Sequence, residues 1–120
     1  MRSAALVSGG ALLLVVALSQ TLAVTDSPTV NVYTQTPVEY GENNRLICYC
    51  TGFHPPLIDM TLRKNGEEIQ NCEESDLSFQ QNWKYYKSKH CKFTPEKGAV
   101  YDCAVRHNNG KTLFHGLEIF

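Results

Sequence analysis

Two cysteines set in strand-like alternation, fifty-five residues apart, constrain this chain more than any other feature. Around the second, Tyr101-Asp102-Cys103-Ala104-Val105-Arg106-His107, the residues Tyr101, Cys103 and Val105 are two apart. In a strand they share one face. Around the first, Arg45-Leu46-Ile47-Cys48-Tyr49-Cys50-Thr51, the shared face is Leu46, Cys48 and Cys50. A Cys48–Cys103 disulfide would tie the two inward faces together through one core. In the chain-entropy account of cross-linking, a loop of that size is worth about 4 kcal/mol.

Such a bond needs an oxidising compartment, and the N-terminus supplies the address. Residues 1–23 read as a secretory signal peptide: Arg2, then the apolar run Ala11-Leu12-Leu13-Leu14-Val15-Val16-Ala17-Leu18, then small or neutral residues before a cut after Ala23. The run is too short to span a bilayer, so residues 24–120 are expected to form one small secreted domain with no direct membrane insertion. A core of that size stabilises a fold only marginally, which makes a covalent cross-link useful. The formal net charge of −1 offers no basic footprint for nucleic acid.

Alternation recurs along the chain. Val30, Val32 and Thr34 alternate with Asn31, Tyr33 and Gln35, and Pro37 ends that strand. Ile58, Met60 and Leu62 alternate after the rigid corner Gly52-Phe53-His54-Pro55-Pro56. Lys64-Asn65-Gly66-Glu67 is a hairpin turn, since Asn-Gly accepts positive φ at low cost. Short segments follow at Glu68 to Cys72 and around Leu77-Ser78-Phe79. A polar loop Gln80-Gln81-Asn82 leads to the only Trp, Trp83. Tyr85 to Phe93 is a long strand, and Thr112 to Ile119 the last. Short strands separated by turn signals, with no 3.6-residue apolar period after residue 23, predict an all-β antiparallel sandwich of seven strands.

Of the five cysteines, Cys50, Cys72 and Cys91 remain once Cys48 and Cys103 are paired. Cys50 shares the inward face of Cys48 and should act as a small buried apolar residue. If Phe79 lies beside Tyr85 or Tyr86, counting outward along both strands brings Cys72 opposite Cys91 and predicts a second disulfide. The alternative is three free thiols, with Cys72 open to intermolecular pairing.

Catalytic and metal chemistry find little support. Cys48 and Cys50 point the same way but lie about 7 Å apart along a strand, and their spacing with Cys103 and His107 matches no zinc ribbon or finger. There is no Gly-x-Ser-x-Gly turn, no His-Glu-x-x-His and no phosphate loop. Glu67-Glu68 and Glu73-Glu74 read as solvated edge charges. The chain is therefore read as a non-enzyme with no cofactor, no metal and no small-molecule substrate.

The stretches Leu46-Ile47-Cys48-Tyr49, Gly52-Phe53-His54-Pro55, Lys64-Asn65-Gly66-Glu67, Ser75-Asp76-Leu77-Ser78-Phe79, Trp83, Phe93-Thr94-Pro95 and Tyr101 to His107 resemble the beta-2-microglobulin family. Its members are light chains of MHC class I molecules, built on a constant-type (C1) immunoglobulin sandwich. Tyr101, two residues before Cys103, fits the tyrosine corner of such sandwiches. Trp83 is the more selective mark: most C1 domains carry a core Trp on the third strand, where this chain has Met60 and Leu62. The resemblance implies a soluble subunit that associates non-covalently with an MHC class I heavy chain, stabilises it for peptide presentation, and reaches the cell surface through it. It assigns the contact face to Tyr33, Gln35, Tyr49, His54, Asp76, Phe79, Trp83, Tyr85 and Tyr86, and implies a cis peptide at His54-Pro55. The other reading is a free secreted C1 domain acting as a binding or signalling ligand. Three departures from the family pattern stand out: Lys87 and Lys89 at inward parity, no Trp on the last strand, and five cysteines where the family usually has two.

Overall fold

A computed structural model describes residues 25–118. The signal segment assigned to residues 1–23, and Ile119 at the end of the last expected strand, lie outside the described residues. The strands are β1 (Thr29–Thr34), β2 (Asn44–Phe53), β3 (Ile58–Lys64), β4 (Glu67–Glu68), β5 (Cys72–Glu74), β6 (Ser78–Phe79), β7 (Tyr85–Phe93), β8 (Tyr101–His107) and β9 (Thr112–Gly116). One sheet runs β1-β2-β7-β5, with β6 also on β7; the other runs β4-β3-β8-β9. All pairings are antiparallel. Since β5 and β6 lie along the same edge of β7, they form one interrupted edge strand. With β4 a two-residue stub, the architecture is the seven-strand sandwich.

Period-2 alternation decides which side chains meet between the sheets. Leu46, Cys48, Cys50 and Phe53 of β2, Met60 and Leu62 of β3, and Tyr101, Cys103 and Val105 of β8 are all buried, together with Cys91 of β7. Cys48 and Cys103 are bonded across the sheets with their Cα atoms 6.2 Å apart. The Tyr101 hydroxyl accepts a hydrogen bond from the Glu96 backbone N–H at 3.1 Å, which closes the tyrosine corner over the turn before β8. The His54-Pro55 peptide is cis. Asn65 and Gly66 both hold positive φ, 51° and 84°, as the tight β3–β4 hairpin requires.

Two local expectations are corrected. Glu68 to Cys72 is not one segment: Glu67 and Glu68 pair with Lys64 and Arg63 in one sheet, while Cys72 pairs with Cys91 in the other. The chain crosses between sheets over Ile69, which packs against the core, and Asn71, whose φ of 63° supplies the turn. Nor are all the acidic pairs simply solvated. Glu74 receives both inward-parity lysines, Lys87 at 3.3 Å and Lys89 at 3.7 Å. The Lys89 ammonium also donates to the Met60 carbonyl at 3.0 Å. That carbonyl lies on β3 beyond the reach of the β4 stub, so a charge from one sheet closes an open backbone group of the other. Cys72 and Cys91 are disulfide-bonded neighbours with Cα atoms 4.2 Å apart.

Cys50 is left as a free, buried thiol. Burial pushes its pKa from 9.0 up to about 12, because the thiolate would be desolvated there. Folding therefore retains a proton that the unfolded chain releases near pH 9. The stability this carries is intact below pH 9 and is lost as pH rises toward 12. Thiol alkylation at pH 8 should leave the native protein unmodified and label one cysteine per chain after denaturation without reductant. Three labelled cysteines would contradict the two-bridge structure.

Candidate interaction face

On the outer face of the β1-β2-β7 sheet, the register sets the residues in rows. Tyr33, Ile47 and His90 lie side by side, then Asn31, Tyr49 and Ser88, then Thr29, Thr51 and Tyr86. This face is opposite the core because Val30, Val32, Leu46, Cys48, Cys50 and Cys91 take the other parity. Tyr49 and Tyr86 meet edge to face with centroids 6.3 Å apart. Tyr33 is 44% exposed. Three aromatic rings thus stand on a sheet surface with no covering layer among the described residues.

A second aromatic group occupies the end of the sheet. Trp83 is 72% exposed and Phe79 55%. Their rings lie 6.0 Å apart, and Phe79 packs edge-on to Tyr85 at 5.2 Å. Tyr85 has inward parity; it stacks on His54 at 6.2 Å and approaches Phe53 at 6.5 Å, so it links the exposed rings to the core. Asn82 and Trp83 both have left-handed backbone, φ 63° and 62°. For a bulky aromatic that conformation costs on the order of 1–3 kcal/mol. The loop thus holds its largest apolar side chain in water on a strained backbone.

Gln80, which sequence reasoning passed over as loop, fixes this arrangement. Its backbone N–H donates to the Lys84 carbonyl, closing the loop. Its side-chain oxygen accepts from the Gly52 N–H at 3.1 Å. Gly52 sits at φ 72°, between Thr51 and Phe53, where the β2–β7 register shifts, and the bulge leaves its N–H outside the ladder. Only the irregularity itself reveals this partner; the polar run Gln80-Gln81-Asn82 carries no signal for it.

The nine residues assigned by resemblance do not form one patch. Tyr33, Tyr49 and Tyr86 share the outer face. His54, Phe79, Trp83 and Tyr85 cluster at the β2 C-terminal end. Asp76 lies in the exposed gap between β5 and β6. Gln35 is at the opposite end, where its N–H donates to the Arg45 carbonyl at 3.0 Å. The span from Arg45 to Phe53 is about 26 Å of strand, the breadth of a standard protein–protein interface rather than of a ligand pocket. Rich in aromatic rings and without a lysine, these nine residues are suited to a macromolecular partner.

The immunoglobulin C1-set domain family matches residues 30–110 of the chain. Beta-2-microglobulin of Xenopus laevis is 44% identical over 112 residues, which cover 92% of this chain and 97% of that protein. Beta-2-microglobulin of Cyprinus carpio is 46% identical over 90 residues, 75% of this chain and 78% of that protein. That of Oryctolagus cuniculus is 49% identical over 81 residues, 68% and 82% respectively.

Proposed function

The chain belongs to the beta-2-microglobulin family of immunoglobulin C1-set domains, and from that premise we propose that it docks on an MHC class I heavy chain through the outer face of its β1-β2-β7 sheet together with the adjoining Trp83 end of that sheet. It is the light-chain subunit of such a molecule, not an enzyme. It holds the heavy chain folded for peptide presentation and acts outside the cell, at the surface through that partner. No helix among the described residues is long and apolar enough to cross a membrane.

Trp83 carries the assignment of the face. An indole 72% exposed on left-handed backbone is costly in the free chain, and the cost is offset when a partner buries it. Large aromatics enclosed by a contact rim dominate binding energy. Tyr33, Tyr49 and Tyr86 extend the apolar contact along the sheet, and their hydroxyls can find partners in a heavy chain. No feature of the face favours a free secreted ligand.

Trp83→Ala should fold with near-normal thermal stability, since the side chain is outside the core. Its complex with the heavy chain should weaken by about 2 kcal/mol or more, roughly thirtyfold in Kd. Calorimetric titration of both proteins checks it, and unchanged affinity with an intact fold would contradict the proposed face.

A further inference from the structure

At the end of the outer face farthest from Trp83, the register sets Arg45 directly opposite Lys92. Like charges facing each other across a sheet repel, which destabilises the pairing. Neither cation is relieved from within: no carboxylate among the described residues is within ion-pair distance of Arg45 or Lys92. Glu73 borders a small concavity with Arg45, His90 and Lys92; its carboxylate lies 3.3 Å from the His90 ring and is not within ion-pair distance of either cation.

The platform beneath the two cations is held rigidly. Buried Asn44 accepts from the Arg45 N–H at 2.8 Å and from the Thr36 N–H at 3.2 Å. Its amide donates to the Thr36 carbonyl at 3.0 Å. Thr94 donates to Asn43 at 2.9 Å. Gln35, Asn43, Arg45, Lys92 and Thr94 border a shallow concavity of about 470 Å³. Strand termini tied in this way fix the backbone from which Arg45 and Lys92 project, which leaves only the two side chains to be ordered on binding.

We propose that Arg45 and Lys92 form an anchoring site for an acidic segment of the heavy chain, in which one carboxylate accepts from both cations. This rests on the light-chain reading above. Charge complementarity selects the occupant: two adjacent, uncompensated cations call for an anion. Continuity with the proposed face selects its source, because Gln35, assigned to that face, hydrogen-bonds through its N–H to Arg45 itself. The site adds to the face an electrostatic end that Trp83 and the tyrosines lack. Charges of this kind at an interface rim act mainly on association rate and salt dependence.

The test uses the double variant Arg45→Gln/Lys92→Gln with a class I heavy-chain ectodomain from the same organism. Association rates are measured at low and physiological salt, alongside Trp83→Ala and the melting temperature of each free chain. The double variant should melt no lower than the parent chain, since a repulsion is removed. It should associate about tenfold more slowly at low salt, with a flattened salt dependence. If its rate and salt dependence match the parent while Trp83→Ala still weakens the complex, the anchoring site is overturned and the light-chain reading stands. If neither variant weakens the complex, both fall. If the double variant instead changes only self-association of the free chain, the occupant is a second copy and the proposal is likewise overturned.

Discussion

Replacing Cys48 and Cys103 together by Ala should remove about 4 kcal/mol of folding stability. The bond closes 55 residues of sequence, so the unfolded chain without it gains a large conformational freedom. Both cysteines are fully buried between the sheets, and the Ala pair also forfeits packing at the centre of the core. A domain of this size has roughly 5–15 kcal/mol in total, so the variant should be close to unfolding at body temperature. Its melting temperature should fall by about 15 °C or more. Urea unfolding of the variant beside the parent chain measures the change. A loss under about 1 kcal/mol would mean that the unfolded chain is already held compact by other means.

Removing Cys72 and Cys91 together should cost about 3 kcal/mol, because that bond closes the shorter, 19-residue loop. The consequence should be more local than for the central bond. The β5 strand has three residues, paired with β7 as Cys72 to Cys91, Glu73 to His90 and Glu74 to Lys89. Without the bond, this edge depends on a short ladder and on the ion pairs of Glu74 with Lys87 and Lys89. Partly exposed pairs of that kind contribute little. Hydrogen exchange should therefore show faster opening at Glu73, Glu74 and Ser75, with β2 and β8 protection falling only as far as global stability falls. Unchanged protection along β5, with a stability loss under about 0.5 kcal/mol, would contradict the pinning role.

Regular strands were the legible part of the sequence. Leu46, Cys48 and Cys50 could be set against Tyr101, Cys103 and Val105 because alternation fixes parity wherever one face is buried. The same regularity in β7 allowed counting outward from Phe79 to the Cys72 and Cys91 positions, which the register pairs. Reading failed where the backbone departs from two-residue alternation. The crossover at Ile69 to Asn71 passes from one sheet to the other, and local propensity does not mark a change of sheet. The β2 bulge at Gly52 turns Gln80 from a loop residue into an anchor for the Trp83 loop.

Charges were legible in part. Inward parity at Lys87 and Lys89 allows a reach to an edge, and both lysines make that reach, but Glu74, which reads from sequence as a solvated edge charge, is their partner, with the Met60 carbonyl beside it. Their long stems cross apolar surface while the ammonium groups meet a partner at the rim. For the outer face, sequence resemblance supplied the residues but not their grouping. Sheet geometry separates Tyr33, Tyr49 and Tyr86 from the Phe79, Trp83 and Tyr85 end, and leaves Gln35 beside Arg45.

Refolding a class I heavy-chain ectodomain with peptide, in the presence and absence of this chain, tests the central assignment most directly. Size-exclusion chromatography with native mass spectrometry would read the products. The account predicts a peptide-loaded one-to-one heterodimer when the chain is present, and little soluble heavy chain when it is absent. A folded, monomeric chain that stays apart from the heavy chain at micromolar concentration, under conditions in which an established beta-2-microglobulin forms the complex, would contradict it.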